Sequence, residues 1–282
     1  MTLEGTIRFR DAATRTVTVD GVDIVYREFG TADGLPLVVL NHLAANLDDG
    51  DPRVLDGLAG DRRVVLLGYR GVGRSGGQVR GSIEEMAGDV ISALAALGLH
   101  RIDLFGMSMG GMVAQEVVAQ APELVERLIL SSSGPAGGPH LAKMTGVMVG
   151  GIVRGAITFT NPRTYLFFTR TAGGKKAARA YLARLTERAG DRDAAVSPTV
   201  LRTQISAVHR WGLRPLVTTS PFAGPVLLLH GQNDRVVPIA NASALRRIFP
   251  DADLAVFDDS GHGVVSQNAL DVVVRARDFL RR

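Results

Sequence analysis

Residues Ile102 to Gly111 read IDLFGMSMGG, a short apolar run that ends in a serine placed between glycines. A strand that turns at once into a helix strains the backbone at the turn, and side chains two positions away on either side would clash. Gly106 and Gly110 remove those clashes around Ser108. The serine hydroxyl then projects from the carboxyl end of the strand, and the N–H of Met109 opens the helix. The stretch therefore predicts a nucleophile with an adjacent oxyanion donor.

The neighbouring sequence agrees with this interpretation. The spacing G-x-S-x-G alone is weak evidence, since it should occur by chance roughly 0.2 times in a chain of this composition. However, Ile102 to Phe105 is typical of a short buried strand, and the apolar residues that follow the serine have helical spacing until Pro122. This strand, turn and helix setting is the one that the motif requires.

With this motif the chain resembles the α/β-hydrolase superfamily, and the resemblance covers nearly the whole chain. It implies a catalytic triad in the order serine, acid, histidine. His262, in a Ser-Gly-His-Gly turn after the last predicted strand, is the expected base, because only a loop beyond the carboxyl edge of the sheet can reach the serine. His230 ends an apolar strand, where we expect a packed imidazole. The remaining candidates lie at helix ends or in an insertion: His100, His140 and His209.

The expected acid is Asp234, just past the seventh predicted strand, where its carboxylate can orient the far nitrogen of His262. Some superfamily members take the acid from the end of the sixth strand, but that position here reads Ser131-Ser132-Ser133. Asp258 and Asp259 stay open as alternatives, although residues leading into a turn more often cap it or face solvent.

The second oxyanion donor is expected in the loop Asn41-His42-Leu43-Ala44, after the third strand. The superfamily usually has His-Gly-x there and draws the donor from x, and this match assigns the N–H of Ala44. Leucine replaces the usual glycine at position 43, so the N–H of Leu43 stays open as the alternative. We expect His42 to brace the loop.

A second glycine-rich loop, Arg70 to Gly76, matches the dinucleotide-binding pattern G-x-G-x-x-G. That fingerprint needs its third glycine inside a helix, so that the pyrophosphate meets the helix N-terminus. Here the helix starts only at the capping box of Ser82. The glycines instead resemble the superfamily's structural Arg-Gly-x-Gly-x-Ser loop, and we expect neither a cofactor nor a metal.

The fold class expected is α/β, with a doubly wound, mostly parallel eight-stranded sheet and an inserted helical cap. Thr16 to Val19 and Val22 to Phe29 alternate around Asp20-Gly21 and predict an antiparallel hairpin with a type I′ turn. Leu37 to Asn41 and Val64 to Gly68 are continuously apolar, as strands buried on both faces are. The rhythm of strands and helices breaks after the sixth strand. We therefore assign residues 1–134 and 216–282 to the core and 135–215 to the cap.

Composition limits the class of protein. The chain of 282 residues has no cysteine, which excludes disulfides and thiolate chemistry. Its positive charges are scattered among acids, so nucleic acid is not an expected partner in spite of a net charge of +4. No apolar run is long enough to span a bilayer, and no signal segment is visible at the start. We expect a cytoplasmic protein with no membrane partner, and a homodimer stays open.

Together these features predict a serine hydrolase acting on a carboxylic ester or lactone of an apolar or aromatic small molecule. Met107 beside the serine, with Phe168 and Trp211 from the cap, are the expected substrate contacts. A carbon-carbon bond hydrolase or a cofactor-free haloperoxidase or perhydrolase could use the same triad. A non-catalytic member of the fold that only binds a ligand is the alternative of another class.

Overall fold

The computed structural model describes residues 7–31 and 34–282. Residues 1–6 and 32–33 of the predicted core lie outside the described residues. Within the described part the strands form one eight-stranded sheet in the order β1-β2-β4-β3-β5-β6-β7-β8. Their bounds are β1 Thr14–Val19, β2 Val22–Gly30, β3 Leu37–Leu40, β4 Arg63–Leu67, β5 Ile102–Met107, β6 Val125–Ser131, β7 Val226–Gly231 and β8 Asp253–Phe257. Strand β2 is antiparallel to both its neighbours and the other pairs are parallel, which confirms the predicted sheet.

The first two strands form the predicted hairpin. Val19 pairs with Val22 at its closed end. Both turn residues have positive φ, 48° at Asp20 and 73° at Gly21. This is the backbone that a two-residue type I′ turn requires, because its twist matches the twist of the flanking strands.

Helices cover both faces of the sheet, as the doubly wound prediction requires. Their bounds are α1 Pro52–Leu58, α2 Ile83–Ala96, α3 Met109–Gln120, α4 Met144–Ile157, α5 Arg163–Phe167, α6 Ala172–Arg184, α7 Pro198–Leu213, α8 Ala240–Ile248, α9 Val264–Gln267 and α10 Ala269–Leu280. Val38 and Leu40 of β3 join one apolar cluster, with α2 and α3. Leu37 and Val39 join the other, with α1 and α10. Every residue of β3 is buried, which explains why the strand shows no polar alternation.

The segment between β6 and β7 contains the four helices α4 to α7. They lie within residues 135–215, where the sequence predicts a helical cap, and the division into two domains stays a prediction. Several ion pairs join this segment to the core, among them Arg163 with Asp49 and Arg184 with Asp51, each at 2.6 Å. Among the helices of residues 7–31 and 34–282, none is both long and apolar enough to cross a bilayer.

Candidate active site

Ser108 lies at the sharp turn between β5 and α3, where its φ of 54° and ψ of −117° are strained for a residue with a side chain. The glycines around it are a steric necessity. A Cβ on Gly106 would lie 2.4 Å from the carbonyl oxygen of Gly110, and a Cβ on Gly110 would lie 2.3 Å from that of Leu40. These contacts are with backbone atoms that cannot move aside. The local sequence therefore dictates the turn that holds the serine hydroxyl.

The structure brings Ser108, His262 and Asp234 together, although 154 residues separate the serine from the histidine. His262 Nε2 lies 2.9 Å from Ser108 Oγ, and His262 Nδ1 lies 2.8 Å from Asp234 Oδ2. All three residues are buried. A carboxylate only accepts hydrogen bonds, so Nδ1 carries the proton, which leaves Nε2 free to accept the proton of the serine hydroxyl.

The backbone holds Asp234 in place. Its Oδ1 accepts hydrogen bonds from the N–H groups of Val236 and Val237, both at 2.9 Å, and so Oδ2 faces His262. The alternative acids lie elsewhere. Asp259 accepts a hydrogen bond from Thr171 at 2.8 Å, and the backbone oxygen of Asp258 accepts one from Asn233. Neither carboxylate contacts His262.

His230 is packed at the end of β7, as the sequence predicts. Its Nε2 lies 2.9 Å from the carbonyl oxygen of Val237 and 3.6 Å from Asp234 Oδ2. Burial lowers the pKa of His230, while the charge of Asp234 raises it to a smaller extent. A neutral imidazole thus packs behind the acid, and this contact with Asp234 is one that the sequence does not reveal.

The oxyanion loop differs from the first expectation. The N–H of Ala44 donates to Gln204 Oε1 of α7 at 2.8 Å, so it is already engaged and is not open to a substrate oxygen. Within the described residues the N–H groups of Leu43 and Met109 donate no hydrogen bond. The arrangement favours Leu43 over Ala44 as the second donor, beside Met109. Ala44 has a φ of 56°. Its hydrogen-bond partner Gln204 is 160 residues away in the sequence, so the loop sequence alone does not predict this contact.

His42 lines the cavity at the serine. Its Nδ1 lies 2.8 Å from the carbonyl oxygen of Leu43, and this acceptor requires that Nδ1 carry the proton. Burial, together with the positive charge of Arg163, lowers the pKa of His42 to about 3. The ring is therefore neutral near pH 7. Its Nε2 is shielded from solvent and has no hydrogen-bond partner among the described residues.

A narrow cavity of ≈ 30 Å³ adjoins Ser108, which is room for about two water molecules. Met107, an expected substrate contact, lines it. Phe168 and Trp211 do not, and their prediction as substrate contacts is not supported. Phe168 is buried against Tyr181, with ring centroids 5.6 Å apart, and the indole N–H of Trp211 donates to the carbonyl oxygen of Gly134 at 3.2 Å. Both side chains hold the inserted helices in place.

Phe167, one position before Phe168 in the chain, lines the cavity instead. Its ring lies 4.9 Å from that of His42 and 5.7 Å from that of His262. Its carbonyl oxygen accepts a hydrogen bond of 2.7 Å from the N–H of Gly263. The adjacent residues Phe167 and Phe168 suggest an aromatic contact at the site. Which of the two rings lines the cavity depends on where α5 ends, at Phe167.

Asp49, Asp51 and Tyr181 also line this cavity. Arg163 pairs with Asp49, and Arg184 makes two hydrogen bonds to Asp51, at 2.7 and 2.6 Å. Burial raises the pKa of Asp49, and Arg163 opposes that shift by favouring the ionised carboxylate. Burial also raises the pKa of Tyr181 above its usual range. These carboxylates are thus neutralised by arginines of the inserted helices.

The glycine-rich loop after β4 has a structural role in the fold. Ser75 Oγ accepts a hydrogen bond of 3.0 Å from the N–H of Val25, and Arg70 pairs with Asp89 at 3.0 Å. The next helix, α2, begins at Ile83, so no helix N-terminus meets this loop at Gly76. The geometry matches the structural interpretation of the motif.

Comparison with known proteins agrees with this fold. The model of the alpha/beta hydrolase fold family matches residues 36–269. The chain is 27% identical over 213 residues to the "Putative carbamate hydrolase RutD" of Rhizobium rhizogenes, an alignment covering 74% of this chain and 79% of that protein. It is 27% identical over 224 residues to the sn-1-specific diacylglycerol lipase ABHD11 of Mus musculus, covering 78% and 72%. An alpha/beta hydrolase fold protein from Chitinophaga pinensis has a similar solved structure, with a TM-score of 0.91, 27% identity and coverage of 97% and 99%.

Proposed function

Because this chain belongs to the alpha/beta hydrolase family and is a hydrolase, we propose that it is a serine hydrolase that cleaves a carboxylic ester or lactone through an acyl-enzyme. The main support for this proposal is the geometry of the three residues: His262 lies 2.9 Å from the Ser108 hydroxyl and 2.8 Å from the Asp234 carboxylate. Few other arrangements of side chains at this turn activate a hydroxyl near neutral pH.

The proposed reaction begins when Ser108 Oγ attacks the acyl carbonyl and His262 Nε2 takes its proton. Asp234 stabilises the imidazolium that forms and keeps it in the correct orientation. His262 then gives the proton to the leaving alkoxide, and the acyl group stays on the serine. A water molecule, deprotonated in turn by His262, releases the carboxylic acid and restores the enzyme.

Two backbone N–H groups stabilise the negative charge on the tetrahedral oxygen in this scheme, those of Met109 and Leu43. Each is free of other hydrogen bonds in the described residues, and donors of this kind need no reorganisation as the charge develops. Met109 is positioned by the same turn as Ser108. Leu43 depends on the bond between Ala44 and Gln204, which fixes the loop from the side of α7.

The substrate proposed is an ester or lactone of an apolar or aromatic small molecule. Met107, Phe167 and Val265 supply apolar surface beside the serine. The cavity of ≈ 30 Å³ is smaller than any such substrate, so the inserted helices must shift to admit it. The names of the relatives, a carbamate hydrolase and a lipase, support attack on an acyl carbonyl and extend to no particular substrate here.

The test is a panel of p-nitrophenyl esters of increasing chain length, with aryl esters and lactones beside them, assayed with the wild-type protein and Ser108→Ala. We expect hydrolysis of at least one class and its loss in the variant. Ser206→Ala is the matched control, because Ser206 is exposed on α7 and its hydroxyl bonds only Arg210 among the described residues. A folded wild-type protein that is inert on the whole panel contradicts the proposal and favours a ligand-binding member of the fold. A folded Ser108→Ala variant of undiminished activity also contradicts it, because another group must then be the nucleophile.

A further inference from the structure

The helix α4 exposes an apolar stripe to solvent. Val149, Val153 and Ile157 recur every four residues, which places them on one face, and they are 49%, 49% and 72% exposed. Phe159, just beyond the helix, is 98% exposed. The opposite face packs against α5, where Gly151 approaches Leu166. We call Val149, Val153, Ile157 and Phe159 the apolar tip. A contiguous exposed apolar patch of this kind is typical of an interaction surface.

The chain around the apolar tip carries positive charge only. Residues 127–186 contain no Asp or Glu, although at the average of the whole chain about six acidic residues would be expected. The same segment contains nine basic residues. Three of them pair with acids of the core: Arg127, Arg163 and Arg184. The other six are exposed and form no ion pair with any described residue: Lys143, Arg154, Arg170, Lys175, Lys176 and Arg179.

Some of this charge lies directly beside the apolar tip. The guanidinium of Arg154 lies 4.7 Å from the ring centre of Tyr165, whose hydroxyl is 3.0 Å from Thr158 Oγ1 at the end of α4. Arg235 donates to the carbonyl oxygen of Tyr165 at 2.7 Å. Burial lowers the pKa of Arg235, the charges of Arg170 and Arg154 lower it further, and the charge of Asp234 opposes these shifts. The apolar tip thus lies beside arginines that form no ion pair with any described residue.

We propose that the apolar tip docks this protein on an anionic lipid surface. Ile157 and Phe159 enter the region between headgroup and acyl chain, and Arg154, Arg170 and Arg235 contact lipid phosphates. Binding of this kind depends on buried apolar area together with attraction to anionic lipid, and the tip supplies both. The expectation of no membrane partner was based on the lack of a spanning segment, and peripheral docking needs none.

The positive charge around the apolar tip favours an anionic lipid surface over a second copy of the chain as the binding partner. A two-fold dimer through the apolar tip would place the same surface against itself, so the arginine groups of the two copies would face each other. Like charges brought together without counter-ions oppose association. The phosphates of a nucleic acid would pair with the cations, but a nucleic acid would not bury the four exposed apolar side chains. A lipid surface satisfies both features.

The experiment is co-sedimentation of the intact protein with vesicles of pure phosphatidylcholine and with vesicles that also contain phosphatidylglycerol. We expect binding to the second kind only, weakened by added salt. Arg154→Gln with Arg170→Gln should reduce the affinity ~30-fold, since each cation near an anionic surface contributes ~1 kcal/mol. Ile157→Ser with Phe159→Ser should also abolish most of the binding.

Matched variants control for general effects of the substitutions. Val274→Ser removes an apolar side chain that is 58% exposed on α10, and Arg246→Gln with Arg247→Gln removes two exposed charges on α8. These controls should bind vesicles as the wild type does. Lack of binding to anionic vesicles, equal binding to both kinds, or unchanged binding by the Ile157/Phe159 variant would overturn the proposal. So would a dimer, detected by light scattering, that Phe159→Ser dissociates.

Discussion

At the scale of single residues, the site depends on which oxygen of Asp234 faces the histidine. Two backbone N–H groups hold Oδ1, and this leaves Oδ2 at 2.8 Å from His262 Nδ1. An amide in place of the carboxylate can donate to Nδ1. It would then stabilise the wrong tautomer of the imidazole, with the proton on the nitrogen that must accept one from Ser108.

We therefore expect Asp234→Asn to lower kcat by about 10⁴-fold, the loss seen when a triad aspartate is changed in this way. Asp258→Asn and Asp259→Asn should change kcat little, because their side chains do not contact His262. The measurement is steady-state kinetics on the best ester of the panel, with circular dichroism to verify folding. A larger loss in either control than in Asp234→Asn would show that the acid is misassigned.

At the scale of secondary-structure elements, the close contact of α3 with the end of β3 determines where the serine lies. Gly110 allows it, because a methyl group there would meet the carbonyl oxygens of Leu40 and Asn41 at 2.3 and 2.6 Å. Gly88, in the middle of α2, has no atom within 4 Å of the equivalent position. Changing glycine to alanine at both positions therefore distinguishes the effect of a steric clash, at Gly110, from the effect of helix propensity, at Gly88.

Gly110→Ala should lower the free energy of unfolding by about 3 kcal/mol through overpacking. Gly88→Ala should raise it by about 1 kcal/mol, since alanine is the better helix former. Urea unfolding of both variants and the wild type measures the difference. If Gly110→Ala is as stable as the wild type, α3 does not pack on β3 as closely as described.

The sequence alone predicts those elements that are encoded by neighbouring residues. The hairpin at Asp20 and the turn at Ser108 are encoded by neighbouring residues, and the buried strands by their unbroken apolar runs. The inserted helices are different, because their orientation depends on contacts with the core. Phe167 and Phe168 are chemically identical neighbours, and only the fold decides that the first lies at the site. Likewise, the N–H of Ala44 donates to Gln204, and no local sequence pattern connects these two residues.

At the scale of the whole molecule, buried imidazoles make stability depend on pH. The folded-state pKa of His42, about 3, lies below the usual value of 6.5, so the unfolded chain takes up a proton first as the pH falls. The contribution of His42 to stability is therefore complete above about pH 6.5 and is lost progressively as the pH falls toward about 3. The lowered pKa of His230 acts in the same direction.

Between about pH 6.5 and 5.5, the wild type should lose ~1 kcal/mol more unfolding free energy than His42→Asn, which cannot take up this proton. Urea unfolding at both pH values, at constant ionic strength, measures the two slopes. Equal slopes would mean that His42 is protonated as easily in the folded protein as in the unfolded chain.

The central claim, that Ser108 is an activated nucleophile, is tested most directly by mass spectrometry after reaction with a fluorophosphonate. We predict a single phosphonyl group on the peptide that contains Ser108, present in Ser206→Ala and absent in Ser108→Ala. Labelling should be slower in Asp234→Asn, because it requires the base that Asp234 orients. No label on the folded wild-type protein, or a label on another serine that Ser108→Ala retains, would contradict the assignment of Ser108 as the nucleophile.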